Sequence, residues 1–288
     1  MDTMTQQKAA AGAGPGLGRW WDRVRKAPDY WQDIRVSITN ARHPEPARPD
    51  RLLSIEQSIE KLVREPKSLI RLCDGECNIM TRTPIYFQRY HPALRRGLYR
   101  ILREYVAGRE CPYHLAMPNS ILLQSRAEIE ASGTLYIWRR TRHIYFRHGQ
   151  TPVRNYLEAQ LFKTMERDRY EAILRLFAGA GPLFVVNDQP ELARFHLPDE
   201  RLRIHEIRIR PYHVFSDYDV ILASIRSALA RWGSADPAAN RVLVGAGPCG
   251  KLLIHELAHA GVVALDIGKF FHSQRRFAAV PIPEKSSP

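Results

Sequence analysis

Three short segments of the sequence carry residue types whose spacing can support chemistry. The first is Arg71–Glu76, which reads RLCDGE and places two carboxylates on either side of Gly75, directly after an apolar run. A carboxylate pair at this spacing can hold a divalent cation such as Mn2+ or Mg2+, and the cation can neutralise a bound diphosphate. Acidic turns also occur as solvated helix caps, so this segment alone leaves both interpretations open.

The second segment is a glycine-rich turn, Gly245–Gly250, which reads GAGPCG between an apolar run and a helical pattern. With Asp266 at the end of the next apolar run, it matches the dinucleotide fingerprint GxGxxG. Backbone amides at a helix N-terminus attract phosphate. However, one strand–helix–strand unit fills the sequence from Arg241 onwards, whereas an NAD-binding fold needs several. The sequence therefore favours a phosphate-binding or simply tight turn, with an NAD dehydrogenase as a minor alternative.

The third segment is His255–His259, which reads HELAH and matches the HExxH pattern of zinc peptidases. Two histidines four residues apart share a helix face and can hold zinc, with the intervening Glu256 as base. A third ligand is required, and the glutamate downstream is Glu284, in a proline-rich tail. We interpret the match as a coincidence on an ordinary helix, and a zinc peptidase stays a minor alternative.

Alternating strand and helix patterns position these segments. Strand patterns cover Ser68–Cys73, Tyr113–Met117, Leu183–Val186, Arg203–Ile209, Arg241–Gly245 and Val262–Ile267. Helical patterns cover Ser54–Glu65, Pro92–Ala107, most of residues 120–180, Phe215–Trp232 and Pro248–His259. The alternation predicts an α/β fold with a mostly parallel sheet and helices on both faces. Ligands bind at the carboxyl ends of such strands, where we expect Asp74, Asn187, Gly245 and Asp266.

The composition describes a globular chain with surplus positive charge. Of 288 residues, 44% are hydrophobic, which excludes a wholly disordered protein, and the net charge is +13. Such a charge favours anionic partners: nucleic acid, an anionic membrane face or a phosphorylated small molecule. Four cysteines without a CxxC pair indicate reduced thiols. Neither a signal peptide nor a membrane span is evident, so we expect a cytoplasmic protein, at most peripheral at the inner face of the membrane.

Composition also suggests the domain organisation. Residues 1–50 form a predicted flexible, aromatic and basic extension, residues 51–271 a single domain, and residues 272–288 a tail. In the extension, Trp20 and Trp21 stand beside arginines, which suits a membrane interface or a docking surface. Packing of these aromatic rings back onto the domain is the favoured interpretation.

The motifs together resemble the GT-D type glycosyltransferases, a bacterial family first catalogued as a domain of unknown function. The matches span residues 52–270 and follow the family's order. They are Arg71–Glu76 for R-x-G-D-G-E, Arg154–Tyr156 for R-P-Y, Pro211–Ile221 for P…N-A-F…Y…I, Gly247–Gly261 for G-P-T-A-K…L…G and Asp266–Gly268 for D-I-G. The sequence departs from the family at Cys73, Asn187, His213 and Lys269, which replace glycine, glutamate, asparagine and histidine.

This resemblance implies a Rossmann-like α/β fold, a nucleotide-sugar donor that is typically UDP-linked, and a divalent metal on Asp74 and Glu76. The acceptor would be a glycan, glycolipid or glycoprotein, as in cell-surface polysaccharide synthesis. The implied catalytic residues are Asp74, Glu76 and Asp266. The implied donor-binding residues are Arg71, Gly75, Arg154, Gly247, Pro248 and Lys251. We expect Lys251 and Arg154 to bind the diphosphate and Asp266 to contact the donor or act as base.

A binding protein is the alternative from another functional class. Residues Arg139–Arg142 lie among aromatic residues, a combination that can stack bases and pair phosphates. The arginines are nevertheless spread along the chain, and no known nucleic-acid motif is present. A degenerate nucleotide-sugar site that binds without turnover belongs to the same alternative. Nucleic acid is therefore the less favoured partner.

Overall fold

The sheet organises the structure, a computed structural model that describes residues 31–108, 110–163, 166–177, 181–197 and 202–278. Seven parallel strands lie in the order β3-β2-β1-β7-β6-β4-β5. Their bounds are β1 Ser68–Arg71, β2 Tyr113–Met117, β3 Leu157–Glu158, β4 Leu183–Asn187, β5 Ile204–Arg208, β6 Arg241–Val244 and β7 Val263–Asp266. Parallel strands need crossover connections, and the intervening segments supply them as helices.

Helices cover both faces of this sheet. Residues 31–42 form α1. The others are α2 Ile55–Arg64, α3 Asp74–Met80, α4 Pro92–Val106, α5 Asn119–Leu122, α6 Arg126–Ala131, α7 Leu135–Ile144, α8 Arg167–Phe177, α9 Leu192–His196, α10 Tyr218–Trp232, α11 Gly247–His259 and α12 Phe270–Ser273. The predicted capping box of α2 is present, because the Ser54 side chain accepts from Gln57 N–H and the Gln57 side chain accepts from Ser54 N–H.

Two hydrophobic cores separate the faces. Successive strand side chains point to opposite sides, so in β6 Val242 and Val244 face one core and Leu243 faces the other. The first core receives α4, α10 and α11, and the second receives α2, α8 and α9. Burial on both sides explains the nearly continuous apolar runs that predicted these strands.

The expected α/β architecture is confirmed, and the sheet is fully parallel over the described residues. The predicted strands and the four long helical patterns occur with boundaries shifted by a few residues. Strand β3 was not predicted, since Leu157–Glu158 is too short to show a period and lies in a stretch that we expected to be mostly helical.

The predicted N-terminal extension is described from residue 31 onwards, and Trp20 and Trp21 lie outside the described residues. In α1, Val36 is fully buried, Asn40 donates to the Arg139 carbonyl at 2.9 Å, and Asp33 pairs with Arg140 at 2.8 Å. This part of the chain therefore packs on α7. No helix among the described residues is long and apolar enough to span a membrane.

Candidate active site at the carboxyl edge of the sheet

Four charged side chains meet where β1, β6 and β7 end. Lys251 Nζ lies 2.9 Å from Glu76 Oε1 and 2.8 Å from Asp266 Oδ2, and Arg71 Nη2 lies 3.2 Å from Asp266 Oδ1. We call these four residues the charged cluster. It holds two cations and two anions, and each side chain is 11% exposed or less. Adjacent central strands bring these residues together although nearly the whole domain separates them in sequence.

Lys251 is the hub of the charged cluster. It lies in the first turns of α11, its side chain is 5% exposed, and Nζ also donates to the Gly247 carbonyl at 3.1 Å. Burial acts to lower the pKa of Lys251, but Asp266 and Glu76 outweigh it and raise the pKa above its ordinary value. The lysine is therefore a fixed positive charge that neutralises two buried carboxylates.

Arg71 links the charged cluster to the segment that directly follows β3. Its Nη1 donates to the Ala159 carbonyl at 2.9 Å, and its guanidinium lies 5.1 Å from the centroid of the Phe162 ring. The close approach to Asp266 requires a glycine, because a Cβ on Gly268 would lie 2.5 Å from Arg71 Nη2. This contact explains the glycine after Asp266-Ile267.

Asp74 is the carboxylate of this edge that is not paired with Lys251. It is the first residue of α3, directly after the N-cap Cys73, and it is partly exposed. Burial, followed by the charge of Glu76, raises the pKa of Asp74 above its ordinary value. Gly75 follows it in the first turn, where a Cβ would approach Ile85 at 3.3 Å.

The expected divalent metal does not fit a position between Asp74 and Glu76. Glu76 Oε1 is held by Lys251, and Glu76 Oε2 accepts the Cys73 N–H at 3.0 Å. The side chain is 7% exposed. A metal on Glu76 would have to displace the lysine, whose charge already serves that carboxylate. Of the predicted pair, Asp74 is the carboxylate that Lys251 does not hold, although backbone N–H groups at the start of α3 hydrogen-bond to it.

Asp266 differs from both roles that the sequence suggested. Its side chain is 2% exposed, and Oδ1 also accepts the Gly268 N–H at 3.2 Å. Burial acts to raise the pKa of Asp266, but Arg71 and Lys251 lower it below its ordinary value. A carboxylate with both oxygens engaged and a lowered pKa is a poor base. Nor can it bind the ribose of a dinucleotide, which removes the main support for an NAD site.

The structure places the two predicted donor-binding cations in different surroundings. Lys251, which we expected to bind the diphosphate, is enclosed by its ion pairs with Glu76 and Asp266. Arg154 lies elsewhere, with its guanidinium 5.2 Å from the centroid of the Tyr105 ring, which stacks on Tyr113, the first residue of β2. That position belongs to the amino edge of the sheet, opposite the charged cluster. Gly247 and Pro248, by contrast, begin α11 at the expected edge.

A depression between the start of α4 and the segment after β5 was not predicted. The segments 88–93 and 210–219 line it, and its walls include Gln88, His91, His213 and Phe215. His213 has a left-handed backbone, with φ of 54°, and its N–H donates to the Phe87 carbonyl at 2.8 Å. The left-handed backbone at His213 could have been predicted, because the resembling family carries asparagine at this position and both asparagine and histidine are enriched at left-handed φ.

Two of the three arginines in the arginine-rich segment are structural, Arg140 and Arg142. Arg142 is fully buried, and its guanidinium donates to the carbonyls of Gln124, His43 and Glu45 at 2.8, 2.6 and 3.2 Å. Arg140 is 8% exposed and pairs with Asp33 at 2.8 Å. These guanidinium groups hold the chain before α2 in place and are not presented to phosphates.

Comparisons with known proteins identify the architecture. No protein-family model matches the sequence, and no curated protein matches it significantly. One solved structure, a selenomethionine-substituted domain of unknown function 1792 (DUF1792), is 16% identical and covers 88% of each chain, with a TM-score of 0.62. This chain has the DUF1792 fold.

Two further structures describe that fold. One, 17% identical with 88% of each chain covered and a TM-score of 0.62, is reported in the words "the highly conserved domain of unknown function 1792 has a distinct glycosyltransferase fold". Another, "a new glycosyltransferase (DUF1792) from Streptococcus sanguinis", is 18% identical over 78% of this chain and 84% of its own, with a TM-score of 0.61. The Rossmann-like fold of the GT-D type is thereby confirmed. At these identities the likeness concerns the fold.

Proposed function

We propose that the protein is a glycosyltransferase that uses a nucleotide-diphosphate sugar, with a UDP-sugar as the first candidate donor. One observation carries the proposal: a buried, charge-balanced cluster adjoins a partly exposed carboxylate, Asp74, at the ligand-binding edge of a sheet with the DUF1792 fold. A glycan or lipid-linked glycan is the proposed acceptor, in keeping with the family resemblance of the motifs.

The first turn of α11 is the proposed site for the donor diphosphate. Amide groups at a helix N-terminus lack partners within the helix, and the helix dipole adds partial positive charge there. Pro248 at the start has no N–H to lose and favours the helical φ. Gly247 has a φ of +54°, and a Cβ there would lie 2.9 Å from the Phe87 ring, so glycine allows the covering loop to approach.

The depression lined by segments 88–93 and 210–219 is the proposed site for the nucleoside. Its wall carries the His91 and Phe215 rings, which lie 5.0 Å apart, and the Gln88 side chain. Aromatic rings can stack on a base, and the buried Gln88 amide holds the wall together, since it donates to the Arg89 carbonyl at 3.0 Å and accepts the Phe215 N–H at 3.2 Å. Phe87, which lies against Gly247, precedes Gln88 in the wall of the depression, so this placement suits the two parts of one nucleotide-sugar donor.

Asp74 is the proposed reactive carboxylate. The acceptor hydroxyl oxygen would bond to the anomeric carbon while the bond from that carbon to the diphosphate oxygen breaks. The nucleoside diphosphate leaves, and the acceptor proton passes to Asp74. A raised pKa suits a carboxylate in this role, because it is a stronger proton acceptor. Lys251 and Arg71 take no part in the transfer but fix the electrostatics of the edge.

The test begins with a thermal-shift screen of nucleotide sugars on the full chain, with and without Mn2+. A donor that raises the unfolding midpoint is then used to measure donor hydrolysis and transfer. In Asp74→Asn we expect turnover to fall at least about 100-fold with donor binding retained, since a general base contributes at least that factor.

Asp168→Asn is the matched control, because Asp168 is an exposed carboxylate in the first turn of α8. It should leave turnover unchanged. If no nucleotide sugar stabilises the protein, or if Asp74→Asn turns over at the wild-type rate, the proposal fails. Turnover that persists in EDTA agrees with the lysine-neutralised edge, whereas strict dependence on Mn2+ would require a cation bound by Asp74 and the donor.

A further inference from the structure

Two histidines and a glutamate from different helices converge at the amino edge of the sheet. His255 Nε2 lies 2.8 Å from Glu104 Oε2, and His259 Nε2 lies 2.8 Å from Glu104 Oε1. One potential ligand atom from each residue falls within 4.8 Å of the other two. The two imidazole centroids are 4.6 Å apart. Glu104 of α4 thus offers the HELAH segment the third ligand that the sequence downstream of it does not supply.

We propose that Glu104, His255 and His259 form a transition-metal site, with Zn2+ as the preferred ion, that joins α4 to α11. Two imidazole nitrogens and one carboxylate are a common zinc ligand set, with a water completing the tetrahedron. Ligand atoms around tetrahedral zinc lie about 3.3 Å apart, as bond lengths of roughly 2.0–2.1 Å require. The two 2.8 Å contacts with Glu104 would therefore lengthen by about half an ångström, and any ligand atoms further apart, all within 4.8 Å, would move closer.

The surroundings suit an ion that enters from solvent, because the site has one buried side and one exposed side. The His255 side chain is 6% exposed, and its ring lies 5.6 Å from that of Tyr113 at the start of β2. On the outer side, the His259 side chain is 46% exposed and that of Glu104 is 25% exposed. One face of the site is thus a buried wall, and the other is open for metal entry and for the water ligand.

This site is separate from the candidate active site. His259 follows Lys251 by eight positions on α11, which places it about 12 Å further along the helix axis. The glutamate of the HExxH pattern is also engaged elsewhere, since Glu256 Oε1 pairs with Arg100 Nη2 at 3.0 Å. The structure therefore supports a metal that fixes two helices to each other, and not the centre of a peptidase.

The rival explanation is a pair of hydrogen bonds without a metal. In this arrangement the Nε2–H groups of His255 and His259 each donate to one oxygen of the Glu104 carboxylate. The two explanations differ in a measurable way. The metal site requires both Nε2 atoms and the carboxylate as simultaneous ligands of one ion. The pair of hydrogen bonds provides no affinity for metal beyond that of scattered surface histidines.

The experiment is calorimetric titration of the full, metal-stripped chain with Zn2+, and with Co2+ followed by its visible absorption. We expect one equivalent to bind, with the intense visible bands of four-coordinate cobalt. His259→Ala and the isosteric Glu104→Gln should each weaken binding by more than about 100-fold, the upper range for losing an outer-shell partner. Glu256→Gln, outside the ligand set but 3.8 Å from His255 Nδ1, should weaken binding by only about tenfold, the lower end for an outer-shell partner.

A second readout tests the joining of the two helices. Zn2+ should raise the thermal unfolding midpoint of the wild type and of Glu256→Gln, but not that of His259→Ala. The proposal is overturned if Zn2+ does not bind, if His259→Ala binds it as the wild type does, or if the bound ion leaves the midpoint unchanged. Zinc-dependent peptide hydrolysis that Glu256→Gln abolishes would replace the structural role with a catalytic one.

Discussion

Replacement of Lys251 by methionine tests the electrostatic account of the candidate active site. Methionine keeps most of the apolar stem but removes the ammonium group from between Glu76 and Asp266. Those side chains are 7% and 2% exposed, so solvent cannot replace the missing charge. Asp266 keeps Arg71 at 3.2 Å, whereas Glu76 keeps only its backbone contact with the Cys73 N–H.

The expected cost follows from this burial. Removing one partner of a buried ion pair destabilises a protein by about 3–5 kcal/mol, because the other charge stays buried without compensation. That range corresponds to roughly two to four powers of ten in the unfolding equilibrium constant. Lys251 serves two carboxylates, so we expect the upper part of the range, with the residual Arg71 contact limiting the loss.

The assay is urea unfolding of the wild type and Lys251→Met across pH. The lowered pKa of Asp266 in the folded state means that its pairing stabilises the protein above the unfolded pKa and that this stabilisation is lost as pH falls. The deficit of Lys251→Met should therefore be fully present at neutral pH and should narrow as the pH falls below about 4, the unfolded pKa of an aspartate, and Asp266 takes up its proton.

Lys61→Met is the matched control. Lys61 Nζ lies 2.7 Å from Glu65 Oε1, a distance like those of Lys251, but the two side chains are 29% and 47% exposed. An exposed helical pair of this kind contributes about 0.3–0.5 kcal/mol. If both variants lose similar stability, or if the deficit of Lys251→Met does not depend on pH, burial is not what makes the charged cluster important.

Three further predictions concern the scaffold. The free energy of unfolding should fall as the pH drops from about 6.5 toward 4, and the urea midpoint measures this. The reason is that burial lowers the pKa of three histidines to about 4 in the folded state, so the unfolded chain binds protons that the folded chain does not. These are His114, His143 and His196. Gly245→Ala should lower the free energy of unfolding in urea by about 1–3 kcal/mol, since the added Cβ would collide with the Asn187 side chain and the Gly268 carbonyl. The control Gly149→Ala should lower it less, because the added Cβ would have contacts of 3.5 Å or more. Arg142→Met should destabilise the fold by about 2 kcal/mol or more, because buried carbonyls lose their donor; an unchanged unfolding midpoint would refute the structural role.

The architecture was largely accessible from the sequence because its signals are local. Buried parallel strands give continuous apolar runs, and the helices carry recognisable starts such as the capping box at Ser54 and the proline in the first turn of α11. The edge strand Leu157–Glu158 was missed, since two residues carry no periodic pattern and their pairing with β2 depends on tertiary contacts.

The site was only partly accessible, because spacing in a sequence does not reveal which charges pair. The sequence placed Asp74 and Asp266 at one edge correctly, but it could not show that Lys251 reaches both Glu76 and Asp266. It also treated His255 and His259 as lacking a partner, because Glu104 precedes them by about 150 positions, and only the packing of α4 on α11 brings the three together.

The charged cluster has a consequence for how the chain matures. Asp266 lies 195 positions after Arg71, and both belong to neighbouring central strands. During synthesis, Arg71 and Glu76 emerge long before their partners, so a nascent chain holds half of a charge network with nothing to complete it. Contacts of such sequence separation slow folding. A chain truncated before β7 should therefore retain helices but fail to assemble the charged cluster. Pairing of β7 with β1 and β6 is then the step that completes this edge of the sheet.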